Sequence, residues 1–164
     1  MTAADTIFAL SSGKPPAAIA IIRISGSTAH AIGRQIAAEL PGAREAAVRA
    51  LRDPRSGELL DEAMVLRFDA PGTATGEDVV EFHCHGCRGV VDGVLSAIRC
   101  IEGAREAQPG EFTRRAFENG RIDLIEAEGL ADLLEAETEA QRRAALRLAE
   151  GDLSRQVAAW SERI

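Results

Sequence analysis

A cluster of reactive side chains occupies the segment His83-Cys84-His85-Gly86-Cys87. It combines Cys-x-x-Cys with His-x-His, patterns that occur in metal sites and in thiol–disulfide chemistry. Because side chains alternate along a strand, His83 and His85 point to one side and Cys84 to the other. The sequence has no second cluster of this kind to complete a structural zinc site. We therefore expect no bound metal and Cys84 as a small core residue; a metal or redox site is the alternative.

The same alternation gives this strand a polar face. Val80 and Phe82 share the apolar side with Cys84, which leaves Glu81 beside the two histidines. A carboxylate and two imidazoles along one face offer the donors and acceptors that a ligand pocket needs. The alternative is a solvated sheet face, which is common in antiparallel sheets.

Two arginines stand in unusual places. Arg23 lies in an otherwise apolar strand, on the face of Ile19 and Ile21, where a charge must be paired, reach solvent or bind something. Arg121 follows Asn119-Gly120, a strong turn signal that should end a helix there. We therefore expect Arg121 at a corner between two helices, where it can face a ligand.

The sequence contains only a partial match to a phosphate-binding P-loop, in Ser11-Ser12-Gly13-Lys14. Pro15 stands where a P-loop has the Ser or Thr that holds magnesium, and the upstream glycine is missing. We therefore expect no GTP binding by this sequence.

These residues lie on strands and helices that do not alternate strictly along the sequence. Strands are expected over 6–10, 18–25, 46–52, 63–68 and 78–85, with a helix capped by Ser27 and another over 88–101. This order predicts an α+β fold with a mixed sheet over residues 1–118. Residues 119–164 should form a helical extension with capping-box pairs at Asp123/Glu126 and Thr138/Gln141.

Apolar residues of the extension follow helical spacing. One face carries Leu124, Ala127, Ala131 and Leu134. A second stripe runs toward the end of the sequence through Ala149, Leu153, Val157, Trp160 and Ile164. Either this stripe folds back, or its partners lie in an absent segment or another subunit.

Composition sets the broad class. The 164 residues are 46% hydrophobic and 27% charged, with a formal net charge of −7, which favours a globular protein without non-specific nucleic-acid binding. With no Tyr and one Trp, stacking platforms for single strands are not expected. No signal peptide or membrane span is evident, and three cysteines suit a reducing compartment. We expect a cytoplasmic protein with no membrane partner.

Three segments together resemble the tRNA-modifying GTPase family MnmE/TrmE. They are DTIFALSSGKPPAAIAIIRISG, TGEDVVEFHCHG and PGEFTRRAFENGRIDLIEAEGLADLLEAET, and the helix after them continues the match. The resemblance implies a tetrahydrofolate-binding, dimer-forming α+β domain, similar to the folate domains of aminomethyltransferases, leading into a helical domain. It also implies an N-terminal piece, truncated before the GTPase domain and inactive alone, so that GTP, magnesium and potassium would bind only to the absent domain.

Site residues follow from the resemblance by motif position. The family's folate-contacting arginine falls on Arg23, its glutamate on Glu81 and its lysine on Arg121. Arg121 keeps the charge of lysine but changes its geometry, and Cys87 replaces a second glycine. No catalytic residue is implied in this part.

Partners and cofactor also follow from the resemblance. A reduced folate such as 5-formyl-tetrahydrofolate would supply the one-carbon unit for (carboxymethyl)aminomethyl modification of wobble uridine. The homodimer would act with a flavoprotein partner and reach tRNA through the full complex. The alternatives are a dimerisation scaffold with a vestigial pocket and a stand-alone folate-dependent aminomethyltransferase.

Overall fold

A computed structural model describes residues 5–151 of the protein. Within this range the chain forms six strands and five helices. In chain order they are β1 (Thr6–Leu10), β2 (Ile19–Ser25), α1 (Ala29–Ala37), β3 (Ala46–Arg52), β4 (Leu59–Phe68), β5 (Val79–His85), α2 (Arg88–Arg99), β6 (Ala104–Glu106), α3 (Glu111–Glu118), α4 (Leu124–Glu135) and α5 (Glu139–Ala149).

The six strands form one sheet in the order β3-β4-β5-β2-β1-β6. All neighbours are antiparallel except β1 and β6, which are parallel. The predicted α+β fold with a mixed sheet is therefore confirmed. Two details were missed: β4 begins at Leu59 rather than at residue 63, and β6 has only three residues, too few for a periodic signal.

Helices α1 and α2 pack on one face of the sheet. Their inward faces are buried, as shown by Ile32, Ile36 and Val94, each at most 1% exposed. They cover the fully buried strand residues Phe8, Ile22, Ile24, Val80 and Phe82. The helix start at Ser27 was wrong. Thr28 precedes α1, and its hydroxyl lies 2.6 Å from the Thr6 hydroxyl instead of capping the helix.

The chain divides into two compact units, residues 1–112 and 113–164; the boundary predicted at residue 118 stays a prediction. In the second unit both predicted capping boxes are present, at Asp123/Glu126 and Thr138/Gln141. A Cβ on Gly129 would lie 2.7 Å from the Leu148 Cβ, so α4 and α5 approach closely at this glycine.

The apolar face predicted for α4 is not its buried face. Leu124 is 61% exposed and Leu134 is 82% exposed, whereas Gly129 is the buried residue of this helix. The side of α4 that packs on α5 is therefore the one that carries Gly129. Of the stripe predicted near the end of the sequence, Leu153, Val157, Trp160 and Ile164 lie outside the described residues. No helix within residues 5–151 is long and apolar enough to cross a membrane.

Candidate functional site

The register of β2 against β5 places Arg23 directly opposite Glu81. Both residues lie on the face of the sheet that α1 and α2 leave uncovered. The Arg23 Nε donates to Glu81 Oε1 at 2.8 Å, and Nη2 lies 2.8 Å from the same oxygen. The Glu81 side chain is only 13% exposed, so this is a partly desolvated ion pair rather than a surface contact. A guanidinium that would be costly in an apolar strand is compensated by this pairing.

Glu81 also has a second partner on its own strand. Its Oε2 lies 3.1 Å from the His83 Nε2, and the His83 side chain is 18% exposed. Because an ionised carboxylate can only accept, Nε2 carries the hydrogen in this contact. The three side chains form a continuous Arg23–Glu81–His83 cluster, with the carboxylate in the middle.

An aromatic ring supports the arginine. The Arg23 guanidinium lies 5.6 Å from the centroid of the Phe112 ring, a cation–π distance that stabilises the charge away from bulk water. Phe112 itself is partly buried, whereas Phe117, the other phenylalanine of α3, is 48% exposed.

A cavity of about 160 Å³ adjoins the cluster. Arg23 and Glu81 line it together with Arg44, Phe68, Gly72, Thr73, Ala74 and Val79. Small-molecule pockets typically enclose about 300–1,000 Å³, so this one has room for part of a folate-sized ligand. The cavity combines a carboxylate, two guanidinium groups and an aromatic ring, which suits a flat heterocycle with an anionic substituent.

The loop over residues 69–78, which supplies much of this wall, is anchored in the sheet. The buried Ser25 hydroxyl lies 2.7 Å from the Thr75 hydroxyl and donates to Glu77 Oε2 at 2.7 Å. Thr73 donates its hydroxyl hydrogen to the Glu77 carbonyl oxygen at 2.7 Å. The cavity wall is thus part of the folded core of the first unit.

A wider cavity, about 360 Å³, lies between α4 and α5. Its lining has two carboxylates, Asp132 and Glu135, with Gln141 and four small or apolar residues. These residues include no cation and no nucleophile. The chemistry therefore favours the smaller cavity beside Arg23 and Glu81.

Arg121 occupies the helix corner predicted for it. Gly120 has φ +66° and its N–H donates to the Phe117 carbonyl at 3.0 Å, while the Arg121 N–H donates to the Ala116 carbonyl at 2.7 Å. This pair of bonds is a Schellman motif, which ends α3 and presents the next side chain at its corner. Arg121 is exposed and belongs to the second unit, whereas Arg23 and Glu81 belong to the first.

The side chains of the histidine–cysteine segment, residues 83–87, differ in burial and in the residues that they contact. Cys84 is 1% exposed in the core, as predicted, and burial raises the pKa of its thiol to about 12. Cys87 is exposed just before α2. His85 contacts Asp61, with 2.8 Å between Nδ1 and Oδ1, and therefore does not join the Arg23–Glu81–His83 cluster. His85 thus fits the alternative of a solvated sheet face, since its side chain is 74% exposed.

Two groups of residues were missed from the sequence. His30, Asp69 and Asp78 form a cluster whose ligand atoms lie within 4.8 Å of one another; the His30 Nε2 contacts the Phe68 carbonyl at 3.1 Å, and Asp69 is paired with Arg67. His30 lies in α1, whereas Asp69 and Asp78 stand at the two ends of the 69–78 loop, so no spacing in the sequence indicates the cluster. Arg44 was missed because it stands in a connection without periodicity.

Comparisons with known proteins agree with this architecture. The family model described as "GTP-binding protein TrmE N-terminus" matches residues 6–121. A "tRNA modification GTPase MnmE" from Novosphingobium aromaticivorans is 60% identical over 156 residues, covering 95% of this chain and 36% of the relative. The protein of the same name from Erythrobacter litoralis is 56% identical over 160 residues, covering 98% and 38%.

A human relative carries a related name. The mitochondrial "5-taurinomethyluridine-[tRNA] synthase subunit GTPB3" is 56% identical over 159 residues, which is 96% of this chain and 32% of that protein. The chain thus spans about a third of the length of the curated relatives it matches. The chain belongs to the family of the GTP-binding protein TrmE N-terminus.

Proposed function

We propose that this chain is the reduced-folate-binding and dimer-forming part of a cytoplasmic tRNA modification GTPase. Its relatives are named for tRNA modification and GTP hydrolysis, and those names favour this role over a stand-alone aminomethyltransferase. In the proposed whole protein, GTP hydrolysis, the flavoprotein partner and tRNA contact depend on other parts. The bound folate, such as 5-formyl-tetrahydrofolate, supplies the one-carbon unit, and Arg23 and Glu81 contact it; a contact from Arg121 stays a prediction.

The observation that carries the proposal is the partly buried Glu81 beside the cavity. The ring of a reduced pterin presents an amino group and a ring N–H side by side, and a carboxylate accepts both as a two-pronged pair. Glu81 is already bonded to Arg23 and His83, so the ligand must share these oxygens or displace a partner. Arg23 offsets the cost of keeping the carboxylate charged once the ligand excludes water.

The proposal predicts saturable binding of a reduced folate. Calorimetric titration of this chain with 5-formyl-tetrahydrofolate should give one site per chain, because each chain has one Arg23–Glu81–His83 cluster. GTP makes a suitable negative control, since the residues at 11–15 do not form a P-loop. A chain that is folded yet takes up no reduced folate would leave the dimerisation scaffold as the better description.

Dimerisation has its own support in the exposed face of the sheet. Val48 pairs with Met64 across β3 and β4, and Met64 pairs with His83 across β4 and β5. Val48 is 67% exposed, Met64 38% and Ile19 57%. Apolar side chains grouped on one open face are typical of association surfaces, and this row lies beside the proposed folate site.

Sedimentation should therefore show a homodimer that depends on this row. The double substitution Val48→Glu and Met64→Glu should shift the chain to monomer, because two carboxylates would lose hydration at the contact without gaining partners. Leu134→Glu, on an 82% exposed side chain of α4, is the matched control and should leave the dimer intact. A parent chain that sediments as a monomer at high micromolar concentration would contradict the proposal.

A further inference from the structure

Arg44 is held in a fixed position at the edge of the cavity. It lies between α1 and β3 with φ 63°, in the left-handed region that side chains other than glycine seldom adopt. Its N–H donates to the Arg67 carbonyl at 2.8 Å. Its guanidinium lies 5.9 Å from the centroid of the Phe68 ring and donates through Nη2 to the Gly72 carbonyl. Although the side chain is exposed, hydrogen bonds and a ring contact hold both the backbone and the guanidinium of Arg44 beside the cavity.

The charge of Arg44 distinguishes it from its neighbours. Arg23 is paired with Glu81, and Arg67 is paired with Asp69 through Nε at 2.9 Å and Nη2 at 3.0 Å. No carboxylate among residues 5–151 pairs with Arg44, whose side-chain contacts are a carbonyl and a ring. Among the residues that line the cavity, Arg44 is therefore the cation whose charge is not neutralised.

An unneutralised guanidinium at the mouth of a pocket is a binding site for a carboxylate. Its planar fork matches the two oxygens of that group, and the charge strengthens both bonds. The overall charge of −7 repels anions at long range, so an anionic ligand requires a local cation of this kind. Arg23 is a poorer site for an anion, because its charge is already paired with Glu81.

We infer that Arg44 binds the carboxylate tail of the folate while the Arg23–Glu81–His83 cluster holds its pterin ring. The inference rests on the proposed function: the pterin ring enters the cavity beside Glu81, and the tail extends out of it past Arg44 at the edge. Arg44 thereby selects folates over pterins that lack the charged tail.

Two ligands and two variants test this assignment. The parent chain should bind 5-formyl-tetrahydrofolate more tightly than 6-methyl-tetrahydropterin, which has the ring but no carboxylate. Arg44→Ala should weaken folate about 10- to 100-fold, as expected for the loss of charge-assisted hydrogen bonds, and leave the affinity for the pterin unchanged. Arg44→Asn should behave alike, because Asn tolerates the left-handed conformation and keeps the backbone in place.

Arg52→Ala is the matched control, because Arg52 is also exposed and also donates to a carbonyl, that of Gly57 at 3.0 Å. It should change neither affinity. Folate binding equal in the parent and both Arg44 variants would overturn the tail assignment while leaving the folate site intact. Equal losses for folate and pterin would overturn it too, since Arg44 would then act on the ring. A parent chain that binds neither ligand would refute the proposed function itself.

Discussion

Replacing Glu81 with alanine is expected to weaken reduced-folate binding by about 30- to several-thousand-fold. In the proposed site the carboxylate is the acceptor for the pterin edge, and its removal leaves the Arg23 guanidinium beside the cavity without its ion-pair partner. Loss of one partner of a desolvated charged pair typically costs about 2–5 kcal/mol, which corresponds to that range of affinity. Calorimetric titration with 5-formyl-tetrahydrofolate measures the effect directly, and circular dichroism checks that the variant is folded.

Glu62→Ala provides the matched control for Glu81. Glu62 is an exposed carboxylate on β4, the neighbouring strand, and its removal should not change folate affinity. Arg121→Lys should also be tolerated, because it restores the residue that the family has at this position. If Glu81→Ala binds folate as tightly as the parent chain, the pocket assignment is wrong and the scaffold function becomes the better explanation.

The largest effect on stability is expected for Gly86→Ala. A Cβ at residue 86 would lie 2.8 Å from the carbonyl carbon of Ala17 and closer still to its oxygen. These are backbone atoms, and they cannot move away easily because Ala17 and Gly86 are joined by an N–H···O bond of 2.9 Å. We expect a loss of about 3 kcal/mol in the free energy of unfolding, measured by urea denaturation.

Gly89→Ala is the control for this substitution. Gly89 lies three residues further on, in α2, and a Cβ there would meet no atom within 4 Å. Alanine favours helix over glycine by up to about 1 kcal/mol, so this variant should be as stable as the parent or more so. Equal free energies of unfolding for the Gly86 and Gly89 variants would contradict this prediction, because the backbone at Ala17 would then move aside without loss of stability.

Features that depend on residues close together in the sequence could be predicted, whereas contacts between distant segments could not. Both capping boxes of the second unit involve residues three positions apart, so their side chains meet once a helix forms. The two faces of β5 follow from alternation, and this placed Glu81 opposite the core side. The strand that pairs with β5 could not be predicted in this way. Arg23 and Glu81 are 58 positions apart, and only the strand order and register bring them into contact.

The predictions that failed depended on contacts between distant segments. The face of α4 was assigned from its leucines, but close approach to α5 at Gly129 decides which side is buried. His85 was grouped with His83, yet Asp61 on β4 binds it instead. Arg44 gave no signal in the sequence, because its proposed role depends on the ion pairs that Arg23 and Arg67 make with other residues.

The anchoring of the 69–78 loop through Ser25, Thr75 and Glu77 has a consequence for recognition kinetics. Thr75 is 1% exposed and Ser25 is fully buried, so these bonds form during folding and not on encounter with a ligand. A wall that is ordered in advance loses little conformational entropy on binding. We therefore expect a ligand to enter this cavity without a slow closing step, so that differences in affinity among related ligands arise chiefly from their dissociation rates.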